Sequence, residues 1–183
     1  KFMSFNLLKR LESSAYSFNL TLSRIKELID NTIDAIVVFE KYGSDDLTMY
    51  EANGSDWDMD DENTDFFTVG RKVKIELADM DYRSWKAELK QDRDVLELLT
   101  LMVADITPEH DKKLNELLEI LTQKIENPIN GDNKKVLVFT AFSDTAEYLY
   151  ENVSTFIKKK YGLDTAVITG SIDGRTTVKG LKP

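Results

Sequence analysis

Two short turns carry the residues best suited to chemistry. Thr140-Ala141-Phe142-Ser143 follows an apolar run, and Thr169-Gly170-Ser171 follows another. In open α/β sheets, ligands bind in the crevice outside the carboxyl ends of the strands. Free backbone N–H groups at a helix start, with hydroxyls beside them, suit a phosphate group. Thr140, Phe142, Ser143, Thr169 and Gly170 are therefore the candidate anion-contacting positions. A plain helix cap by Ser143 is the competing assignment.

Other chemistries find little support. The chain has no cysteine and a single histidine, His110, so thiolate or histidine metal centres and cysteine nucleophiles are not expected. His110 lies between Glu109 and Asp111, no motif suggests a nucleophile to partner it, and it reads as a surface residue. Asp56-Trp57-Asp58-Met59-Asp60 imitates the start of a calcium loop. Asp61 then stands where the sharp turn needs glycine, and Phe67 where the bidentate Glu belongs, so a solvated charge run is favoured. No glycine-rich phosphate loop of the Walker type occurs, and no metal or catalytic residue is assigned.

The elements that must position the two turns follow from hydrophobic periodicity. The 183 residues are 42% hydrophobic and 31% charged, with only 8 Gly and 3 Pro, a composition of long helices rather than turn-rich sheet. Leu8, Leu11, Ala15, Phe18, Leu22, Ile25, Ile29 and Ile33 recur at helical spacing, predicting one long helix or two in line ending at Gly43. Lys9, Arg10, Glu12, Ser13 and Ser14 fall on the opposite, polar face of that pattern. Residues 43–68 lack a period and crowd Asp45, Asp46, Glu51, Asp56, Asp58, Asp60, Asp61, Glu62 and Asp65, as a solvated loop would. Val73, Ile75 and Leu77 alternate, as in a short strand or the lead-in to a helix. Asp79 or Asp81 is placed to cap a helix through Trp85, Leu89, Leu96, Leu99 and Val103. Trp85 and Phe18 are assigned to apolar stripes. Thr107-Pro108-Glu109 reads as a new helix start, and Asn127-Pro128 as its stop.

The pattern changes near residue 132. Lys135 to Thr140 is a continuous β-branched and apolar run, predicting a strand buried on both faces. Ser143-Asp144 then caps a helix that Gly162 closes, and Leu163 to Thr169 reads as a second buried strand. The expected architecture is α/β: a mainly helical region, 1–132, followed by a truncated parallel βαβ unit, 133–183.

The run from Lys134 to Leu149, KKVLVFTAFSDTAEYL, resembles motif IV of superfamily-two helicases, which opens their second RecA-like lobe. Val167-Ile168-Thr169-Gly170-Ser171 resembles the next strand and turn of that lobe. Leu7-Leu8-Lys9-Arg10-Leu11-Glu12-Ser13-Ser14 is similar to a helix between the two lobes of bacterial Swi/Snf-like helicases. Asp81, Trp85, Leu89 and Asp92, with Asp111-Lys112 and Leu117-Leu118, resemble their inter-lobe helices. The resemblance implies a parent enzyme that uses ATP and Mg to move on nucleic acid, with DNA the expected partner; the lack of a bilayer-spanning run and of a signal-peptide pattern makes a cytoplasmic protein without a membrane partner the expectation. The resemblance also implies backbone contact at Thr140, Phe142, Ser143, Thr169 and Gly170. The Walker motifs of the family's first lobe and the arginine fingers of its second match nothing here, so this chain alone is expected to be inactive and to need the first lobe as a partner. The competing classes are a non-enzymatic helical protein-interaction module and a doubly wound phosphate-ligand enzyme. Exposed apolar surface flanking Val136 to Ile168 would favour the helicase reading over both. No run is long and apolar enough to span a bilayer. A net charge of −9 argues against tight nucleic-acid binding by the chain on its own.

Overall fold

A computed structural model describes residues 2–43, 77–170 and 173–181. The acidic stretch, the calcium-loop imitation and the alternating Val73 and Ile75 lie outside those residues, as does Ser171. Among the described residues the chain is mostly helical, with α1 Phe2–Ser13, α2 Ala15–Tyr42, α3 Tyr82–Ala104, α4 Lys112–Glu126 and α5 Ser143–Tyr161. A 3₁₀ turn, Leu77–Asp79, precedes α3, and two short strands, β1 Ala166–Val167 and β2 Arg175–Thr176, follow α5. The chain divides into two compact units, one made of residues 1–18 with 105–183 and the other of residues 19–104.

The helix boundaries follow local hydrogen-bond chemistry. The long amphipathic pattern is two helices, interrupted only at Ser14, whose Oγ accepts from the Ser17 N–H at 2.9 Å and so caps α2. Gly43 ends α2 at φ 63°, with its N–H on the Phe39 carbonyl at 2.8 Å. Asp81 Oδ1 accepts from the Ser84 N–H at 3.2 Å and starts α3. The restart expected at Thr107-Pro108 falls instead at Asp111, whose carboxylate accepts from the Leu114 N–H at 3.0 Å, while residues 108–110 form a turn. A carboxylate there faces the N-terminal end of the helix dipole and outcompetes the threonine hydroxyl upstream. Asn127 caps the other end of α4, before Pro128.

In the unit 19–104, α2 buries Leu22, Ile25, Ile29, Ile33 and Ile36, and α3 buries Leu96. Three ion pairs, Lys26 with Glu97, Asp30 with Arg93 and Glu40 with Lys86, ascend α2 as they descend α3, so the two helices run antiparallel. Each such partly exposed pair contributes little, about 0–1 kcal/mol, and the apolar seam holds the hairpin. Phe39 packs edge-on to Tyr82 with ring centroids 5.3 Å apart.

In the other unit the apolar core is Leu121, Ile125 and Ile157, where α4 meets α5, closed by Leu117, Val153, Phe156, Tyr161 and Leu163. Truncating one of these to alanine costs about 2–5 kcal/mol. The expected parallel βαβ unit does not form among the described residues. Residues 133–140 form no ladder, and the β1–β2 pair is antiparallel, with Ala166 opposite Thr176 and Val167 opposite Arg175. Thr177 reinforces that pair, its N–H donating to the Thr165 carbonyl at 2.9 Å. The strands expected to be buried on both faces are not: Leu137 is 83% exposed, Phe139 88% and Ile168 74%. The run at 135–140 has no neighbouring strand to pair with among the described residues and so forms no ladder, whereas Leu163 to Thr169 does hold a short strand, β1, with Val167 buried.

Candidate functional site

The turn at residues 140–143 is held by a cluster of polar side chains that the helical pattern had assigned to solvent. Arg10, Ser14, Ser17 and Thr21 recur at intervals of four, three and four, which puts them on one helical face, and all four are buried. This polar stripe replaces the expected apolar one at the start of the pattern, where Leu8 and Leu11 are exposed. Arg10 is 4% exposed, and its Nη1 donates to Asp144 Oδ2 at 3.0 Å and to Ser17 Oγ at 3.2 Å. Its guanidinium lies over the Phe142 ring, 4.6 Å from the centroid. A cation over a desolvated aromatic face adds about 1–2 kcal/mol, and removing one partner of a buried ion pair costs about 3–5 kcal/mol.

Hydroxyls fill the rest of the cluster. Ser13 Oγ lies 2.9 Å from Thr145 Oγ1 and 3.4 Å from Thr140 Oγ1, and Ser14 Oγ is 3.3 Å from Thr145 Oγ1. Thr140 Oγ1 also accepts from the Phe142 N–H at 3.4 Å, folding the turn back on itself. Phe142, in extended conformation, is the residue preceding α5, with no side-chain cap, and Ser143 is the first helical residue and is buried. The cap expected from Ser143 is therefore not made. Buried hydroxyls satisfy one another here, and such a network is stable only when its members are hydrogen-bonded.

A second group sits next along α5. Tyr148 donates its hydroxyl to Asp111 Oδ2 at 3.0 Å, so one carboxylate serves both this bond and the α4 cap. Tyr16 stacks on Tyr148 with centroids 4.8 Å apart. Burial first, and the Asp111 hydrogen bond second, hold the Tyr148 phenol well above its ordinary range, so it stays protonated. Lys113 Nζ donates to the Glu12 carbonyl at the end of α1.

The turn after β1 is arranged differently. Thr169 is half-buried and Gly170 exposed, immediately beyond Val167, which is buried. Arg175 of β2 pairs with Glu147 of α5 and lies over the Tyr150 ring at 5.1 Å. The geometry thus brings Thr140, Phe142 and Ser143 together at the head of α5, while Thr169 and Gly170 belong to the separate turn after β1. His110 is exposed, its Nδ1 3.1 Å from Thr107 Oγ1. Trp85 is half-buried and Phe18 buried. No group of three or more metal-binding side chains occurs among the described residues. No helix among them is long and apolar enough to cross a membrane.

Arg10, Ser13, Ser14, Ser17 and Asp144 were not among the site candidates. Their signal was present in the sequence as the interval of the hydroxyls: a serine and threonine stripe in phase with Leu22 and Ile25 is a buried face, not a wet one. Comparisons with family models, with curated proteins and with solved structures give no match to this chain.

Proposed function

We propose that the chain is part of a superfamily-two, Swi/Snf-like ATP-dependent translocase, contributing helices between its two lobes and the opening of its second, RecA-like lobe. The observation that carries this reading is the exposed strand sequence. Val136, Leu137, Val138 and Phe139 lie in no helix or ladder and are exposed, and Ile168 just beyond β1 is exposed too, although their composition is that of strands buried on both faces. Apolar surface of this kind calls for neighbouring strands. An adaptor module with a finished core would have no need of it, so the interaction-module class fits less well. A second support is that the stretch similar to an inter-lobe helix and the stretch similar to motif IV meet, through Arg10 with Asp144 and Ser13 with Thr145.

In this reading the backbone N–H groups at the head of α5, with the turn after β1, meet the sugar-phosphate backbone of DNA. Such contacts are blind to sequence and weaken steeply with salt. ATP and Mg would be bound by residues outside this chain, in the first lobe.

The test is ATP turnover by a longer natural chain that contains these residues, with and without DNA. DNA-stimulated turnover that is absent from the 183-residue chain alone is the expected result. A longer chain that holds no phosphate loop and shows no turnover would discard the translocase and favour the interaction module.

A further inference from the structure

We propose that Arg10 is a positioning residue that locks the 140–143 turn to the α1–α2 junction. That the locked turn meets nucleic acid rests on the function proposed above; the lock itself does not.

Helix α5 starts without a side-chain cap from Phe142, and the local bond from the Phe142 N–H to Thr140 Oγ1 is long at 3.4 Å, so contacts from elsewhere weigh heavily in fixing how the chain enters it. Entry is fixed from α1 and the first residues of α2. Arg10 takes hold of two positions that straddle the first helical residue, the Phe142 ring at 4.6 Å and the Asp144 carboxylate at 3.0 Å. Ser13 reaches Thr140 on one side and Thr145 on the other, at 3.4 and 2.9 Å. Ser14, which caps α2, adds a contact to Thr145 at 3.3 Å. Two consecutive elements of the sequence, the end of α1 and the beginning of α2, thereby grip four positions across the turn, from Thr140 to Thr145.

The planar guanidinium suits this task in a way an ammonium does not, because it can stack on a ring and donate in its own plane at once. Nearly complete burial of Arg10 keeps water from competing for either contact. The consequence is mechanical: the backbone N–H groups at the head of α5 are held in one arrangement before any ligand arrives. A preorganised array binds without the entropy cost of ordering a loose turn.

The experiment is hydrogen exchange of the 183-residue chain, resolved at amides 140–146, for Arg10→Gln, Arg10→Lys, Phe142→Leu and Asp144→Asn. Loss of the charge-assisted bond in Arg10→Gln is expected to speed exchange at the turn by about tenfold or more. Amides of Leu121, Ile125 and Ile157 in the adjoining core should keep their protection, and Arg10→Lys should recover part of what Arg10→Gln loses. Unchanged exchange at the turn in a folded Arg10→Gln would overturn the proposal, as would a lysine no better than glutamine. If Arg10→Gln does not fold, Phe142→Leu and Asp144→Asn each remove one arm, and the same local acceleration is expected from both. No acceleration in either overturns the lock. Affinity for a labelled DNA oligonucleotide, measured on the longer natural chain, separates the two claims. Faster exchange with weaker binding supports both. Faster exchange with unaltered binding keeps the lock and removes nucleic acid as the turn's ligand.

Discussion

Asp111 has two jobs on one carboxylate. Oδ1 caps α4 through the Leu114 N–H, and Oδ2 receives the Tyr148 hydroxyl. Asp111→Ala therefore removes a cap and strands a buried phenol, two losses that together cost about 2–3 kcal/mol. Asp111→Asn keeps its one amide oxygen as acceptor for the Leu114 N–H and turns its NH2 as a donor toward the Tyr148 hydroxyl oxygen, so it should lose less than Asp111→Ala; chemical denaturation of the two variants measures the difference, and equal losses would refute the shared role. Asp164 offers a pH test. Its Oδ1 accepts from Lys158 Nζ at 2.8 Å and Thr177 Oγ1 at 2.7 Å, and the lysine contact first, then the threonine, hold the carboxyl below its ordinary value of 3.8. A depressed acid stabilises the fold above its unfolded pKa, and that contribution disappears as pH falls through the folded one. Protection of the β1–β2 pair should hold through pH 5 and decline below about 3.8, whereas Asp164→Asn should flatten that decline. Hydrogen exchange of the pair against pH reads it directly.

At the scale of elements, the ends of helices are decided by single residues. Gly162 closes α5 at φ 68° and donates its N–H to the Lys158 carbonyl at 3.1 Å. A Cβ built there meets nothing within 4 Å, so Gly162→Ala should cost only the left-handed backbone penalty, about 1 kcal/mol, seen as a lower Tm with an unchanged fold. A loss of several kcal/mol would mean that the glycine serves packing instead. The same locality explains what could be read from the chain before its structure. Gly43, Gly162 and Asn127-Pro128 stop helices by backbone geometry that no tertiary contact overrides, and they were legible. Asp111 was not, because Thr107-Pro108-Glu109 carries an equally good local signature and only the fold decides between them. The strand expected at Lys135 to Thr140 failed for a different reason, while Leu163 to Thr169 does hold the short strand β1, paired antiparallel rather than parallel. An apolar run specifies a strand only when neighbours exist to complete the ladder, and Leu137 and Phe139 have none among the described residues. Of the turn cluster, Thr140, Phe142 and Ser143 were singled out in the sequence by their place after a strand-like run. Arg10 and its serines were missed because polar residues at helical spacing look like a wet face until their phase with Leu22 is noticed.

For the molecule as a whole, two properties pull against each other. The chain carries a net charge of −9, which keeps like molecules apart and weakens encounter with DNA, so tight DNA binding at physiological salt is not expected of it. It also exposes Leu137, Phe139 and Ile168, aliphatic and aromatic side chains in runs of high strand propensity. Unpaired extended backbone beside exposed apolar side chains is a template for pairing with another copy. Charge repulsion is screened by salt, with a range of about 10 Å at 0.1 M, while the apolar attraction is not. Self-association should therefore rise with salt and with protein concentration. Leu137→Ser with Phe139→Ser should suppress it, and because neither side chain is buried, Tm should stay within about 1 °C of the parent. Sedimentation velocity across a salt series distinguishes the outcomes. Association abolished by the pair of serines identifies the exposed run as the sticky surface, which the proposed function assigns to pairing with further strands. Association that persists unchanged would move the adhesive surface elsewhere, most simply to Val95, Leu98 and Met102 on α3, and would take away the main support for an incomplete sheet.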